Sequence, residues 1–161
     1  MKYQMAEIEK RIWLLPVLVF AGAFAVRFYL AFFSNIITPD GLMYIRTAKL
    51  IETGESAKLT EFTFVHLYPY LVLLAHKIFP DWETAGRMVS VMMGSLAAVP
   101  LFLLVKGMFG ARIASITALF YIINPRLADY SADVLREPTF WFFSMTALWL
   151  AWEGMSRRNL I

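Results

Sequence analysis

Apolar residues run almost unbroken over positions 12–33, again over 88–105 as MVSVMMGSLAAVPLFLLV, and in two shorter blocks at 113–123 and 138–152. At about 1.5 Å per helical residue, the first run reaches roughly 33 Å, enough to cross the ~30 Å hydrocarbon core of a bilayer. Lys10 and Arg11 before it, and Ala23-Phe24-Ala25 within it, imitate a cleavable signal. The run continues through Phe28, Leu30 and Phe33, so an uncleaved anchor is expected. Arg27 lies near the outer end of this span, where its long stem is expected to snorkel to the interface. In the second run Gly94, Ser95, Ala97 and Ala98 form a small-residue face suited to close helix packing, and Pro100 is tolerable in a membrane helix.

The two shorter blocks are marginal as crossings, because about 10–14 apolar residues more often make a re-entrant or buried segment. Between them lies NPRLADYSADVLRE, residues 124–137, too polar to face lipid. The pattern predicts a helical hairpin whose polar turn is partly sunk below the membrane surface, against protein or a water-filled cavity. One all-α integral membrane domain is expected over residues 1–161, with about four transmembrane helices at 12–33, 83–105, 111–127 and 138–153. A long outer loop, 34–82, is expected to carry two short interfacial helices at about 41–53 and 68–79. Gly54 marks the end of the first of these, and Pro69 suits the first turn of the second.

Charge orients this arrangement. With four crossings, Lys2, Lys10, Arg11, Lys106, Arg112, Arg157 and Arg158 share one side, and nine of the twelve acids fall on the other. The positive-inside rule then places both termini in the cytoplasm and the 34–82 loop outside. Charged residues are only 17% of the chain and hydrophobic ones 60%, against about 25% charged in soluble domains. The net charge of +3 follows from topology, so no nucleic-acid partner is implied. The absence of cysteine excludes disulfides and thiolate metal sites. Nucleophile-elbow, P-loop, HExxH and GxGxxG patterns are all missing.

Candidate chemistry therefore rests on acids and bases at the outer level. Asp40, in ITPDGLMYIRTAK, reads as a helix cap, a role compatible with a base because a carboxylate at a positive helix end stays ionised. Glu137 stands between Arg136 and Pro138, at the start of the last apolar block. Asp129 and Asp133 precede it in the same turn, and three acids there suit a divalent cation such as Mg²⁺ or Mn²⁺. Arg87, Arg46, Arg126 and Arg136 are either interfacial anchors or clamps for phosphate. His66 and His76 have no partner at a ligand spacing and read as interfacial packing residues.

The order of these motifs resembles the N-terminal portion of GT-C membrane glycosyltransferases, in particular the dolichyl-phosphate-mannose protein mannosyltransferase and aminoarabinose transferase group. PDGLMYIRTA, with Asp40, Tyr44 and Ala48, is similar to the acidic first-loop motif and surface helix of that group. His66-Leu67-Tyr68-Pro69 loosely matches its His-Pro-Pro-Leu segment, and Arg87, Ser90 and Gly94 match its Arg-x-x-Ser-x-x-x-Gly helix opening. Phe109-Gly110 matches a turn, and Pro125 with Arg136-Glu137-Pro138 matches the polar turn before an aromatic-rich helix. Gly41 stands where many members carry a second acid. The resemblance covers nearly all of this chain but about the first third of a typical member. It implies a truncated GT-C-like fold and inverting sugar transfer from a polyprenyl-phosphate donor at the outer face. Asp40 and Glu137 would be catalytic, the four arginines would hold donor phosphate, and Tyr44, His66, Asp129 and Asp133 would line the site. It also implies contact with membrane lipids and a partner chain supplying the remaining helices. The competing readings are a non-catalytic membrane scaffold or subunit that keeps this fold and, last, a transporter fragment.

Overall fold

The computed structural model describes residues 2–33, 37–55 and 67–158, with side chains described over 14–33, 37–55 and 67–156. Helix starts follow from local chemistry. Thr38 caps the helix that opens at Pro39, its hydroxyl accepting the Gly41 amide at 3.3 Å. Asn124 does the same ahead of Pro125, accepting the Leu127 amide at 3.1 Å. Proline suits the first helical position because its missing N–H would have no intrahelical partner there. Asp81 caps the long central helix, accepting both the amide and the hydroxyl of Thr84 at 2.7 Å. The cap of the first-loop helix is thus Thr38 and not Asp40: Pro39 takes the first helical position, and Asp40 follows it as an exposed first-turn residue.

Among the described residues there are seven helices and no strand: α1 (Lys2–Phe33), α2 (Pro39–Glu52), α3 (Leu67–His76), α4 (Trp82–Phe109), α5 (Ala111–Ile123), α6 (Pro125–Ala132) and α7 (Glu137–Arg158). Gly54 adopts φ +72° just beyond α2, donating its amide to Ile51, which is the left-handed geometry that terminates a helix. Positions 124–137, expected as a turn, contain the two-turn helix α6, whose Ala128, Ser131 and Ala132 are buried while Arg126 and Asp129 are exposed.

Helix α4 is the hub on which α1, α3, α5, α6 and α7 all pack. Val19 and Ala23 of α1 cluster with Ala98 and Phe102 of α4 and with Ala114 and Ala118 of α5. Ala31, two turns further along α1, meets Val91 near the other end of α4. Helices α1 and α5 therefore run antiparallel to α4. Helix α7 runs parallel to α4, since Leu135 lies beside Ser90 while Trp152 reaches Gly107. This gathers Lys106 and Arg112 at one end of the bundle and Asp81, Glu83, Asp133 and Glu137 at the other.

The expected small-residue face of α4 is buried: Ser95, Ala97 and Ala98 have no exposed surface. Gly94 and Gly86 admit the polar turn at close range. A Cβ on Gly94 would strike the Ser131 hydroxyl, and one on Gly86 would lie 2.6 Å from Val134. Ser90, one turn from each glycine, secures the turn through hydrogen bonds. Its Oγ accepts the Leu135 amide at 3.2 Å and donates to the Leu135 carbonyl at 2.9 Å. It also sits 2.8 Å from the Tyr68 hydroxyl, which contacts the Gly86 carbonyl at 3.0 Å. Ser90 lies eight residues into α4, about 12 Å along its axis. The turn is held well inside the bundle. Replacing Ser90 by Ala takes the hydroxyl donor from the buried Leu135 carbonyl, while the Leu135 amide keeps the Asp133 carbonyl at 3.0 Å, and should cost about 1–3 kcal/mol. Unfolding in detergent should show that loss, and unchanged stability would mean that the Leu135 carbonyl finds another donor.

Two of the expected spans are long and apolar enough to cross a membrane: Leu14–Phe33 and Trp82–Phe109. Helix α5, with 13 residues, reaches only about 20 Å, short of a hydrocarbon core. Helix α7 has the length, but Ser, Thr, Trp and Glu residues interrupt its apolar surface. Arg27 does not snorkel. It is wholly buried, donates to the carbonyls of Ala23 at 3.3 Å and Tyr121 at 3.5 Å, and lies 4.6 Å from the centre of the Tyr121 ring. Tyr121 donates in turn to the Gly94 carbonyl at 2.8 Å. Enclosure by four helices makes backbone carbonyls and an aromatic face the accessible partners for this guanidinium, so it cross-ties α1 to α5.

Candidate functional site

The α2 N-terminus and the polar turn are bonded to each other across the bundle. The Thr38 amide donates to Asp133 Oδ2 at 3.3 Å, while Asp133 Oδ1 accepts the Val134 amide at 2.7 Å. In a capping box, an acid three residues into the helix reaches back to the cap residue's amide. Here an acid 95 residues away fills that role. Gly41 allows the approach, because a Cβ there would lie 3.0 Å from the Val134 carbonyl oxygen. A second acid at that position would carry a Cβ into the same backbone.

This junction brings several candidate side chains into one neighbourhood. Tyr44 is buried and meets Tyr68 edge to face, with ring centres 5.2 Å apart. Burial pushes the Tyr44 phenol above its ordinary value, Arg136 opposes the shift, and Glu137 and Asp40 reinforce it. Burial likewise pushes Tyr68 well up, with its hydrogen bond to Ser90 opposing and Asp133, Tyr44 and Glu137 adding to the rise. Both phenols stay neutral at physiological pH, and Tyr68 donates to the Gly86 carbonyl. Asp40, Arg136 and Glu137 thus lie within electrostatic reach of Tyr44.

Beside them is a cavity of about 510 Å³ between α3 and the start of α7. Tyr68, Arg136, Glu137 and Thr139 line one part, and Leu67, Phe140 and Phe143 line the other. Glu137 Oε2 and Thr139 Oγ1 are buried without a hydrogen-bond partner among the described residues. Orphaned buried acceptors are costly unless something meets them. A polar ligand entering this cavity would do so. Sequence reasoning passed over Tyr68, Thr139, Phe140 and Phe143. The signal was present in the adjacent polar triplet Arg136, Glu137 and Thr139 around Pro138, followed directly by aromatics.

Other candidates sit elsewhere. Arg87 is almost fully buried and donates to Glu83 at 2.6 and 3.0 Å and to the carbonyls of Ala31 and Ala132 at 3.3 Å. It joins the end of α1 to the end of α6. Arg46 is exposed on α2, and Arg126 and Asp129 are exposed on α6. His66 lies outside the described residues. Among the described residues, no three His, Cys, Asp or Glu side chains converge as metal ligands. The acids of the turn are spread apart, because Asp133 turns to Thr38 while Asp129 faces away on α6.

No curated protein and no solved structure gives a significant match. The family model for dolichyl-phosphate-mannose-protein mannosyltransferase matches residues 66–160. That stretch runs from α3 through α7 and so holds the hub helix, the polar turn and the cavity, while Asp40 and Tyr44 lie outside it. By that match, over more than half of its length, the chain belongs to the dolichyl-phosphate-mannose-protein mannosyltransferase family of membrane glycosyltransferases.

Proposed function

We propose that this chain is an inverting membrane glycosyltransferase, or the N-terminal module of one, that moves a sugar from a polyprenyl-phosphate donor to a protein or lipid acceptor at the outer membrane face. The observation that supports the reading is the Thr38–Asp133 bond, because it ties the start of α2, which carries Asp40, to the polar turn that leads into Arg136 and Glu137. In this scheme both termini are cytoplasmic, and α5 with α6 and then α7 complete the crossings begun by α1 and α4. The acceptor hydroxyl attacks the anomeric carbon from the face opposite the phosphate, and the Asp40 carboxylate takes its proton. The bond from the anomeric carbon to the phosphate oxygen breaks, leaving a polyprenyl phosphate whose added charge Arg136 balances. Glu137 and Thr139 offer their unpaired oxygens to sugar hydroxyls. Phe140 and Phe143, on the lipid-accessible side of α7, suit the first isoprene units.

The test is donor binding and transfer in membranes containing the native protein, using a polyprenyl-phosphate hexose with a labelled sugar. Transfer together with release of polyprenyl phosphate is expected. Arg136→Ala should weaken donor binding by about tenfold or more, as loss of a charge-assisted phosphate contact does. Donor binding without transfer would instead favour the scaffold reading. Absence of donor binding would overturn the proposal.

A further inference from the structure

Two further hollows lie next to each other along α4. The upper one, about 500 Å³, is walled by Asp81, Glu83, Thr84 and Arg87 together with Phe28 and Ala31. The lower one, about 420 Å³, is a groove between α1, α3 and α4, walled by side chains such as Phe24, Leu71, Leu74, Met92 and Met93. Phe28, Phe79 and Met88 line both, so the two adjoin and can join as one channel, polar at the α4 N-terminus and apolar along its length.

We propose that this channel binds one zwitterionic phospholipid bearing a primary amine, of the phosphatidylethanolamine type, with its ammonium in the upper hollow and an acyl chain in the lower. The dimensions fit a single leaflet. Glu83 to Met93 is ten residues of α4, about 15 Å, or half of a ~30 Å hydrocarbon core. Asp81 and Glu83 stand at the polar end of a long apolar helix, where headgroups lie. Flexible methionines along the groove adapt to a disordered chain.

Charge selects the headgroup. Asp81 and Glu83 bring two carboxylates against the one guanidinium of Arg87, which is already paired with Glu83 Oε1. Asp81 Oδ2 is taken by Thr84, and that pair of bonds holds the carboxyl below its usual range and so ionised. Asp81 Oδ1 and Glu83 Oε2 have no bond among the described residues and can accept from an –NH₃⁺. Lys49 and His76 act on Asp81 at longer range but line neither hollow. An anionic headgroup without an amine would meet the excess carboxylate directly. A choline headgroup carries the charge but has no N–H to donate.

Native mass spectrometry of the native protein, exchanged into equal mixtures of phosphatidylethanolamine, phosphatidylcholine and phosphatidylglycerol, tests this. Phosphatidylethanolamine should be retained about threefold to tenfold over either competitor, the range for one partly exposed charge pair. Asp81→Asn keeps a good helix cap and should reduce that preference to near parity without releasing lipid altogether. Met92→Trp, which fills the groove from a half-exposed position, should lower retention of all three lipids. Equal retention of the three lipids by the unaltered protein would overturn the proposal, as would a preference surviving Asp81→Asn or full retention in Met92→Trp. Thermal unfolding of each variant separates lipid loss from misfolding. Sugar transfer is not needed for any of these readings.

Discussion

Asp40→Asn should lower turnover by about 10²–10⁴-fold, the usual contribution of a positioned general base, while leaving donor binding nearly unchanged. The structure makes this a cleaner experiment than the sequence suggested. Thr38, not Asp40, bonds the Gly41 amide, so the cap survives the substitution intact. Only the favourable placement of a negative charge in the first turn is lost, worth about 0.3–1 kcal/mol at an exposed position. Unfolding in detergent should therefore shift little. The measurement is sugar transfer in membranes containing the native protein, beside donor binding on the same sample. Thr38→Ala is the complementary control: it removes the cap, costing about 0.5–2 kcal/mol, but keeps the carboxylate. If Asp40→Asn turns over normally while Thr38→Ala is impaired, Asp40 is not the base and the α2 N-terminus matters only as architecture.

That reversal of roles between neighbours shows what a one-dimensional reading captures. The all-helical class and the apolar runs at α1 and α4 were legible, because almost unbroken apolar runs of 22 and 18 residues leave few alternatives. The small-residue face of α4 was legible for the same local reason. What escaped were decisions made between segments far apart. Whether Thr38 or Asp40 caps α2 depends on Pro39 taking the first helical position, and the amide of Thr38 is then met by Asp133 from the far end of the chain. Arg27 reads as a snorkelling anchor only while its neighbours are unknown. Once α5 and α6 cover it, the Tyr121 ring and two backbone carbonyls become its environment. Arg87 and Arg136 looked equivalent as cations at one level. Packing separates them, giving Arg87 to Glu83 and to two helix ends, and Arg136 to the cavity. Tyr68 and Ser90, which hold the polar turn, stood in two family-like motifs, but nothing along the chain paired them with each other or with Leu135.

The largest stability effect expected lies where that turn enters α4. Gly94→Ala adds one methyl group at a position where the Ser131 hydroxyl intrudes and Ser131 Cβ is 2.8 Å away, with Arg27 Nε at 3.2 Å. None of these can retreat easily. Ser131 is wholly buried and bonded to the Leu127 carbonyl at 2.8 Å, and Arg27 is fixed by the bonds to α1 and α5. Overpacking of this kind costs about 1–3 kcal/mol, and occasionally more. Displacement of α6 would also stretch the Thr38–Asp133 bond, so activity should fall with stability. Ser131→Gly removes both the hydroxyl and the Cβ that clash, at a cost of a few tenths of a kcal/mol in helix propensity plus its lost packing. The double variant should accordingly be more stable than the sum of the two single effects by about 1 kcal/mol or more, a coupling well outside the scatter for independent sites. Unfolding of all four proteins in one detergent measures it. Strict additivity would mean that α6 does not rest on Gly94, and the seating of the polar turn against α4 would have to be redrawn.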